Sequence, residues 1–303
     1  MKNYGLFILC FTLTGACGFF TNNNQRFIFI ESGQGFELSE NGKPVYFYQR
    51  QPKTSDNLYQ YNNYLHPLYS LDGDTLTEEF PEDHPHHRGV YWAWNKIHID
   101  NQSIADGWVM KNLIQDVYDV RTSVDEDIAR LDIDVHWKSS IWKNGTPVIH
   151  EHSSILVHSM KAGARILDFE ITLSALVPGV SIGGSDDEKG YGGFSLRFKL
   201  PDDLVFTSKN GTVIPQTLQM DAGPWLTFTG SIGSENNKDR ITLFCHPDTP
   251  NYPAPWILRQ KSSMQNVVYP GRENVELKLN QPVVLSYRLV LHREQMEEYF
   301  WPE

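Results

Sequence analysis

From Leu131 to Trp137 the chain alternates apolar and polar residues without a break: Leu131-Asp132-Ile133-Asp134-Val135-His136-Trp137. A period of two places every second side chain on the same side of an extended backbone, so such a run fits a strand with one buried face. The pattern recurs at Arg165-Ile166-Leu167-Asp168-Phe169-Glu170-Ile171-Thr172-Leu173 and, in shorter form, at 26–30, 194–200, 241–245 and 283–291. Gly, Pro, Asn and Asp bound the runs, and Asn144-Gly145 and Asn210-Gly211 read as tight-turn centres. Helical periodicity is nearly absent, with Arg293–Tyr299 the best helix candidate. The pattern predicts an all-β fold, a large antiparallel β-sandwich with few helices.

The N-terminal segment 1–17 is a signal peptide by pattern. Lys2 precedes the apolar run Leu6–Leu13, and Thr14-Gly15-Ala16 lead to Cys17. The small residues before Cys17 resemble a bacterial lipobox, with Thr14 where leucine is usual. A plain cleaved signal is the alternative. The run is too short for a good spanning helix, which needs about 20 apolar residues. The expected product is exported, an outer-membrane or periplasmic lipoprotein of a bacterium, touching membrane only through a lipid on Cys17. Residues 18–24 are a polar tether, and 25–303 form a single domain. With Cys10 and Cys17 assigned to the leader, only Cys245 remains and no intramolecular disulfide can form.

The net charge of −11 argues against nucleic acid, whose phosphates need clustered Lys and Arg. Against this acidic background one window stands out. Four of the eleven histidines lie between Tyr64 and Trp94, and three of them fall in Asp83-His84-Pro85-His86-His87-Arg88-Gly89. Such residues are poor core formers unless paired, and Pro85 and Gly89 place them on a loop. Histidine can move protons, histidines can bind a metal, and Arg88 can hold a carboxylate. His84, His86 and His87 are therefore possible metal ligands, although His-x-His-His is not a trusted metal spacing. No cofactor is assigned, and a divalent metal is left possible.

These residues resemble the PmoA-like family, labelled "methane oxygenase PmoA". The resemblance includes His66-Pro67-Leu68, Gly73 and the histidine run itself. It continues through Gly107-Trp108, Gly145–Glu151, Gly190–Arg197, His246-Pro247-Asp248 with Pro253-Ala254-Pro255-Trp256 and Arg259, and Tyr287–His292. No apolar segment after Leu13 is long enough to span a bilayer, so an integral membrane oxygenase subunit is not implied. The resemblance implies a sandwich of the galactose-mutarotase-like type (a supersandwich) and a glycan ligand.

On that reading the chain is a carbohydrate-active enzyme that cleaves or isomerises a glycan, as a hydrolase or lyase. His86, His87 and Glu151 are the acid/base candidates, with His84 beside them and Asp83 to orient a histidine. Arg88, Arg197 and Arg259 are candidate clamps, for an acidic sugar among others. His66, Trp92, His246 and Trp256 complete the expected substrate-binding set, and Tyr252 and Trp256 are candidate stacking platforms. Paired carboxylates for hydrolysis are not evident. A non-catalytic glycan-binding lipoprotein is the alternative, and a metal-dependent oxidoreductase the second.

Overall fold

The computed structural model describes residues 25–54 and 58–293. The expected signal segment, Cys17, the tether up to Asn24 and all but Arg293 of the C-terminal helix candidate lie outside them. Every strand pairing among the described residues is antiparallel. The one helical element among them is a single 3-10 turn, Lys143–Gly145. None of their helices is long and apolar enough to cross a membrane.

Two large sheets form the sandwich. The first runs, edge to edge, Phe27–Glu31, Gly35–Glu40, Lys43–Gln49, Tyr64–Leu68, Val90–Ala93, Gly193–Leu196, Gln265–Val268 and Trp256–Ile257. The second runs Gly211–Val213, Val205–Ser208, Trp225–Gly230, Asp239–Cys245, Val283–His292, Ala164–Ala175, Pro147–His158, Ile128–Ser139 and Leu113–Val124. A small third sheet joins Val275–Glu276, Val180–Gly183, Lys96–Ile99 and Gln102–Ala105.

The alternation does the predicted work in the second sheet. Leu131, Ile133, Val135 and Trp137 are buried, as are Leu167, Phe169, Ile171 and Leu173 from the neighbouring run. They meet the first sheet across the core: Phe194 stacks on Tyr287 at 4.5 Å between ring centroids and meets Phe169 edge-on at 5.1 Å. Aromatic pairs of this kind add to the area they bury.

The first sheet reads less cleanly. The expected strand 194–200 ends at Leu196, and Ser195 and Leu196 are both fully buried. A strand covered on both sides carries no exposure signal in its alternation. Glycine here answers a steric need. At Gly193 (φ +101°) a Cβ would come within 2.8 Å of the Val267 carbonyl oxygen, so the Gly-rich segment is a close backbone approach. The Asn210-Gly211 turn sits one residue earlier than expected, on Lys209-Asn210, because Gly211 already pairs with Ser208.

Candidate functional site

The histidine loop is a closed turn structure. The His84 N–H donates to the Pro81 carbonyl and the His87 N–H to the His84 carbonyl, at 3.1 and 2.9 Å. Phe80 N–H to His87 O, and Gly89 N–H to Glu78 O, seal its base at 2.8 Å each. Successive turns bring His84 and His87 face to face, with rings 4.6 Å apart and 4° from parallel. His86 stands edge-on to both, at 5.8 and 4.7 Å.

Asp83 ties this loop to the rest of the domain. Its two oxygens accept from the Arg197 guanidinium at 2.8 and 3.0 Å, and Oδ2 also accepts the Ser263 N–H at 2.7 Å. His84 Nδ1 lies 2.9 Å from the same oxygen, and since a carboxylate only accepts, that nitrogen carries the proton. Partial burial pushes the Asp83 carboxyl up. Arg197, His84 and the Ser263 amide outweigh it and hold the group well below the usual carboxylate range. Asp83 thus orients a histidine, but its charge is committed.

The three histidines line an open cleft of about 780 Å3. Trp108 and Tyr191 form an aromatic wall, their ring centroids 4.7 Å apart. Arg259, Lys189, Lys261 and Asp187 bring charge to the rim. Burial lowers the His86 pKa to about 4, with His84 and Arg88 adding to it, so the imidazole is neutral at neutral pH. Its ring nitrogens have no hydrogen-bond partner among the described residues, which leaves a lone pair available for a proton. His87 is buried and held neutral by the same cause, and its Nδ1 has no partner.

Other predicted site residues lie elsewhere. Glu151 is a correction: it is fully buried between the sheets, not in the cleft. Its Oε1 accepts from Asn63, Trp92 and Ser153, and its Oε2 from Trp137, at 2.7–2.9 Å. Burial raises its pKa against the pull of these four donors. Trp92 is likewise core, spent on Glu151. Trp256 is fully buried, with its indole N–H on the Gly223 carbonyl at 2.8 Å, and offers no stacking face. Arg197 faces neither solvent nor a ligand; it holds Glu78 and Asp83.

Arg88 is buried beneath the cleft floor. It donates to the His86 and Trp108 carbonyls, and Tyr61 and Tyr91 face it at 5.1 and 4.6 Å from their ring centres. His66, on strand Tyr64–Leu68, bonds the Thr77 hydroxyl of a neighbouring segment, and His246 sits beside Asp248; neither lines the cleft. Among the described residues no three His, Cys, Asp or Glu side chains are arranged to hold a metal ion. In the loop, His84 and His87 present ring faces to each other, and His84 Nδ1 is taken by Asp83.

Sequence reasoning passed over Trp108, Tyr191, Lys189 and Lys261 as site residues. Tyr191 had a signal, since it lies between Gly190 and Gly192, where the backbone needs room. The serines opposite had none: Ser262 and Ser263 adopt φ of +54° and +74° in a loop no composition marks.

The fold and cleft define an all-β sandwich protein with a histidine-lined cleft on one face. The chain belongs to DUF6807, a family of unknown function whose model matches residues 36–299. The match carries no PmoA label. No curated protein matches the chain. Among solved structures it is similar to a putative mutarotase from Salmonella typhimurium, at 8% identity and a TM-score of 0.34, covering 88% of this chain and 90% of that one. It is also similar to a GH36 alpha-galactosidase from Geobacillus stearothermophilus, at 8% identity and a TM-score of 0.29, covering 89% of this chain and 41% of that one. Likenesses this loose define neither a site nor a substrate.

Proposed function

We propose that the chain is an exported carbohydrate-active enzyme that cleaves or isomerises a glycan by proton transfer to and from histidine. The observation that carries this reading is His86, a half-buried imidazole held neutral in an open cleft, next to a second histidine oriented by a carboxylate. In this reading a neutral His86 takes a proton from the sugar and, as imidazolium, gives it to the leaving oxygen or back to the ring. His84, whose Nδ1 proton rests on Asp83, presents Nε2 as a second acceptor. Tyr191, backed by the buried Trp108, supplies the aromatic wall against which the apolar C–H face of a sugar ring packs. Chemistry by a pair of carboxylates is not favoured. Asp83 is locked to Arg197, and Asp187 already accepts from Ser185 and two backbone amides. Cys17 is taken as the lipid attachment point, which puts the cleft outside the cytoplasm, where polysaccharide is met.

The test is a glycan panel followed for new reducing ends and, by NMR, for anomer interconversion. The His86→Ala variant should lose about 100-fold or more in turnover while keeping affinity, as removal of a general base does. Binding with no turnover in either form would leave a glycan-binding protein. Loss of labelled palmitate incorporation in Cys17→Ala checks the anchor.

A further inference from the structure

Among the described residues Arg259 is an arginine without an ion-pair partner, in a protein that has acids to spare; Asp187 acts on it only from beyond ion-pair distance. The chain carries 37 Asp and Glu against 26 Lys and Arg, and its other cleft cations have found carboxylates: Lys189 lies 3.8 Å from Asp187 and Lys261 lies 3.0 Å from Asp202. No carboxylate of the described residues comes within ion-pair distance of the Arg259 guanidinium. Three backbone carbonyls hold it instead. Nη1 donates to Gln216 O and Leu258 O at 3.0 and 2.8 Å, and Nη2 to Thr217 O at 3.0 Å.

Counting donors shows what is left. A guanidinium has five N–H groups, and three are used. The Nε–H and one Nη2–H remain. Those two nitrogens form the planar edge that grips a carboxylate side-on through two parallel bonds. The carbonyls fix the plane of the group, so little side-chain freedom is left to lose when an anion arrives.

A second guanidinium with no carboxylate partner among the described residues lies behind the same cleft. Arg88 is buried, donates only to carbonyls and to the Met110 sulfur, and keeps its Nε without a partner. Desolvating a cation with no counter-ion is unfavourable. The two facing tyrosines offset part of that cost and leave the charge in place. Its field acts through a low-dielectric layer on the floor formed by His86 and Trp108. Both arginines therefore make the cleft attractive to an anion, although the whole molecule is acidic.

We infer that the glycan taken by this cleft is acidic, a uronic acid chain whose carboxylate is gripped by Arg259. This rests on the glycan reading above and adds the substrate class. A carboxylate matches the planar fork in shape, whereas a sulfate ester offers the same charge in tetrahedral form, and the experiment separates the two.

Binding is measured by calorimetry on the full chain with trisaccharides of galacturonic, glucuronic and mannuronic acid. Their methyl esters and a sulfated galactose trisaccharide are run beside them. At least one acid should bind about tenfold or more tightly than its own ester, the size of one charge-assisted interaction. The margin should shrink as salt is raised, because the Arg259 site is open to solvent. Arg259→Gln should abolish the margin between acid and ester. Arg259→Lys, which keeps the charge without the fork, should retain part of it. Equal affinity for acid and ester in the wild type would overturn the uronate assignment and leave the glycan reading standing. Binding of the sulfated sugar alone would overturn it too. Binding of none of these sugars would also overturn the uronate assignment, and the glycan reading then stands or falls on the glycan panel above.

Discussion

Arg197 grips Asp83 through both carboxylate oxygens across 114 residues of sequence, at 2.8 and 3.0 Å. The contact fastens the histidine loop to the end of strand Gly193–Leu196, and Asp83 in turn fixes the ring of His84. Arg197 is nearly inaccessible to water, so removing it leaves Asp83 and Glu78 without their cation. Both carboxylates keep about a third of their surface in water, so the loss is smaller than for a fully buried pair, about 1–3 kcal/mol. Arg197→Ala should lower the unfolding free energy by about that amount in a urea titration. Arg197→Lys should recover only part, because an ammonium cannot span both oxygens. A variant as stable as the wild type would mean that the loop holds itself.

Glu151 gives a second test, of stability rather than activity. Four donors and no acceptor surround its carboxylate. In Glu151→Gln one amide oxygen can serve the three donors at Oε1, but the NH2 then faces the Trp137 N–H. The mismatch should destabilise the chain by about 1–3 kcal/mol, as an unsatisfied buried donor does. Turnover, once assayed, should fall little at temperatures where the variant is folded. A large loss of turnover in a stable Glu151→Gln protein would return this residue to the active site.

The position of Glu151 was legible, and the motif around it misled. Ile149, Glu151, Ser153, Ile155 and Val157 share one parity of the strand Pro147–His158, and the apolar members mark that parity as the core face. His150 and His152 have the other parity and meet Asp134 on the outer face, at 2.9 and 3.1 Å. The sandwich was readable from the second sheet because its four twelve-residue strands keep much of one face wet. Arg197 was not readable, since its strand is covered on both sides and its partner comes from a distant loop. Trp92 and Trp256 look the same in sequence as exposed stacking residues, and only the distant acceptors of their indole N–H groups show that they are core. The cleft itself is built by four separate segments, and only the histidine run among them announces chemistry.

Acid should weaken the protein through the histidine loop. Burial depresses the folded-state pKa of both His86 and His87 below the usual 6.5, to about 4 for His86. Between those values the unfolded chain binds protons that the folded chain refuses, so stability rises with pH and is lost as pH falls from about 6.5 toward 4. Glu151 has the opposite sign. Its pKa is raised, so its contribution is present below the unfolded carboxyl value and is lost as pH rises through the folded one. Urea midpoints taken stepwise from pH 7 to 4 should fall more gently in a His86→Gln, His87→Gln protein than in the wild type. An unchanged slope would mean that the loop opens before these rings protonate.

Gly89 closes the loop at its other end and admits no side chain. Its N–H donates to the Glu78 carbonyl and its carbonyl accepts from the Arg197 N–H at 2.7 Å, so it is stitched into strands on both sides. Its φ is +58°, and a Cβ would lie 2.0 Å from the Leu65 carbonyl oxygen and 3.0 Å from His66 Cβ. Two costs add in Gly89→Ala: the left-handed backbone, about 1–2 kcal/mol, and a backbone clash that only a shift of strand Tyr64–Leu68 can relieve. Gly73→Ala separates them, because Gly73 has φ +97° with nothing within 4 Å of the added carbon. Gly73→Ala should cost only the backbone share. Gly89→Ala should cost about 3 kcal/mol or more, or fail to fold. Equal destabilisation of the two in matched urea titrations would show that strand Tyr64–Leu68 yields easily, and that the histidine loop rests on a softer base than its hydrogen bonds imply.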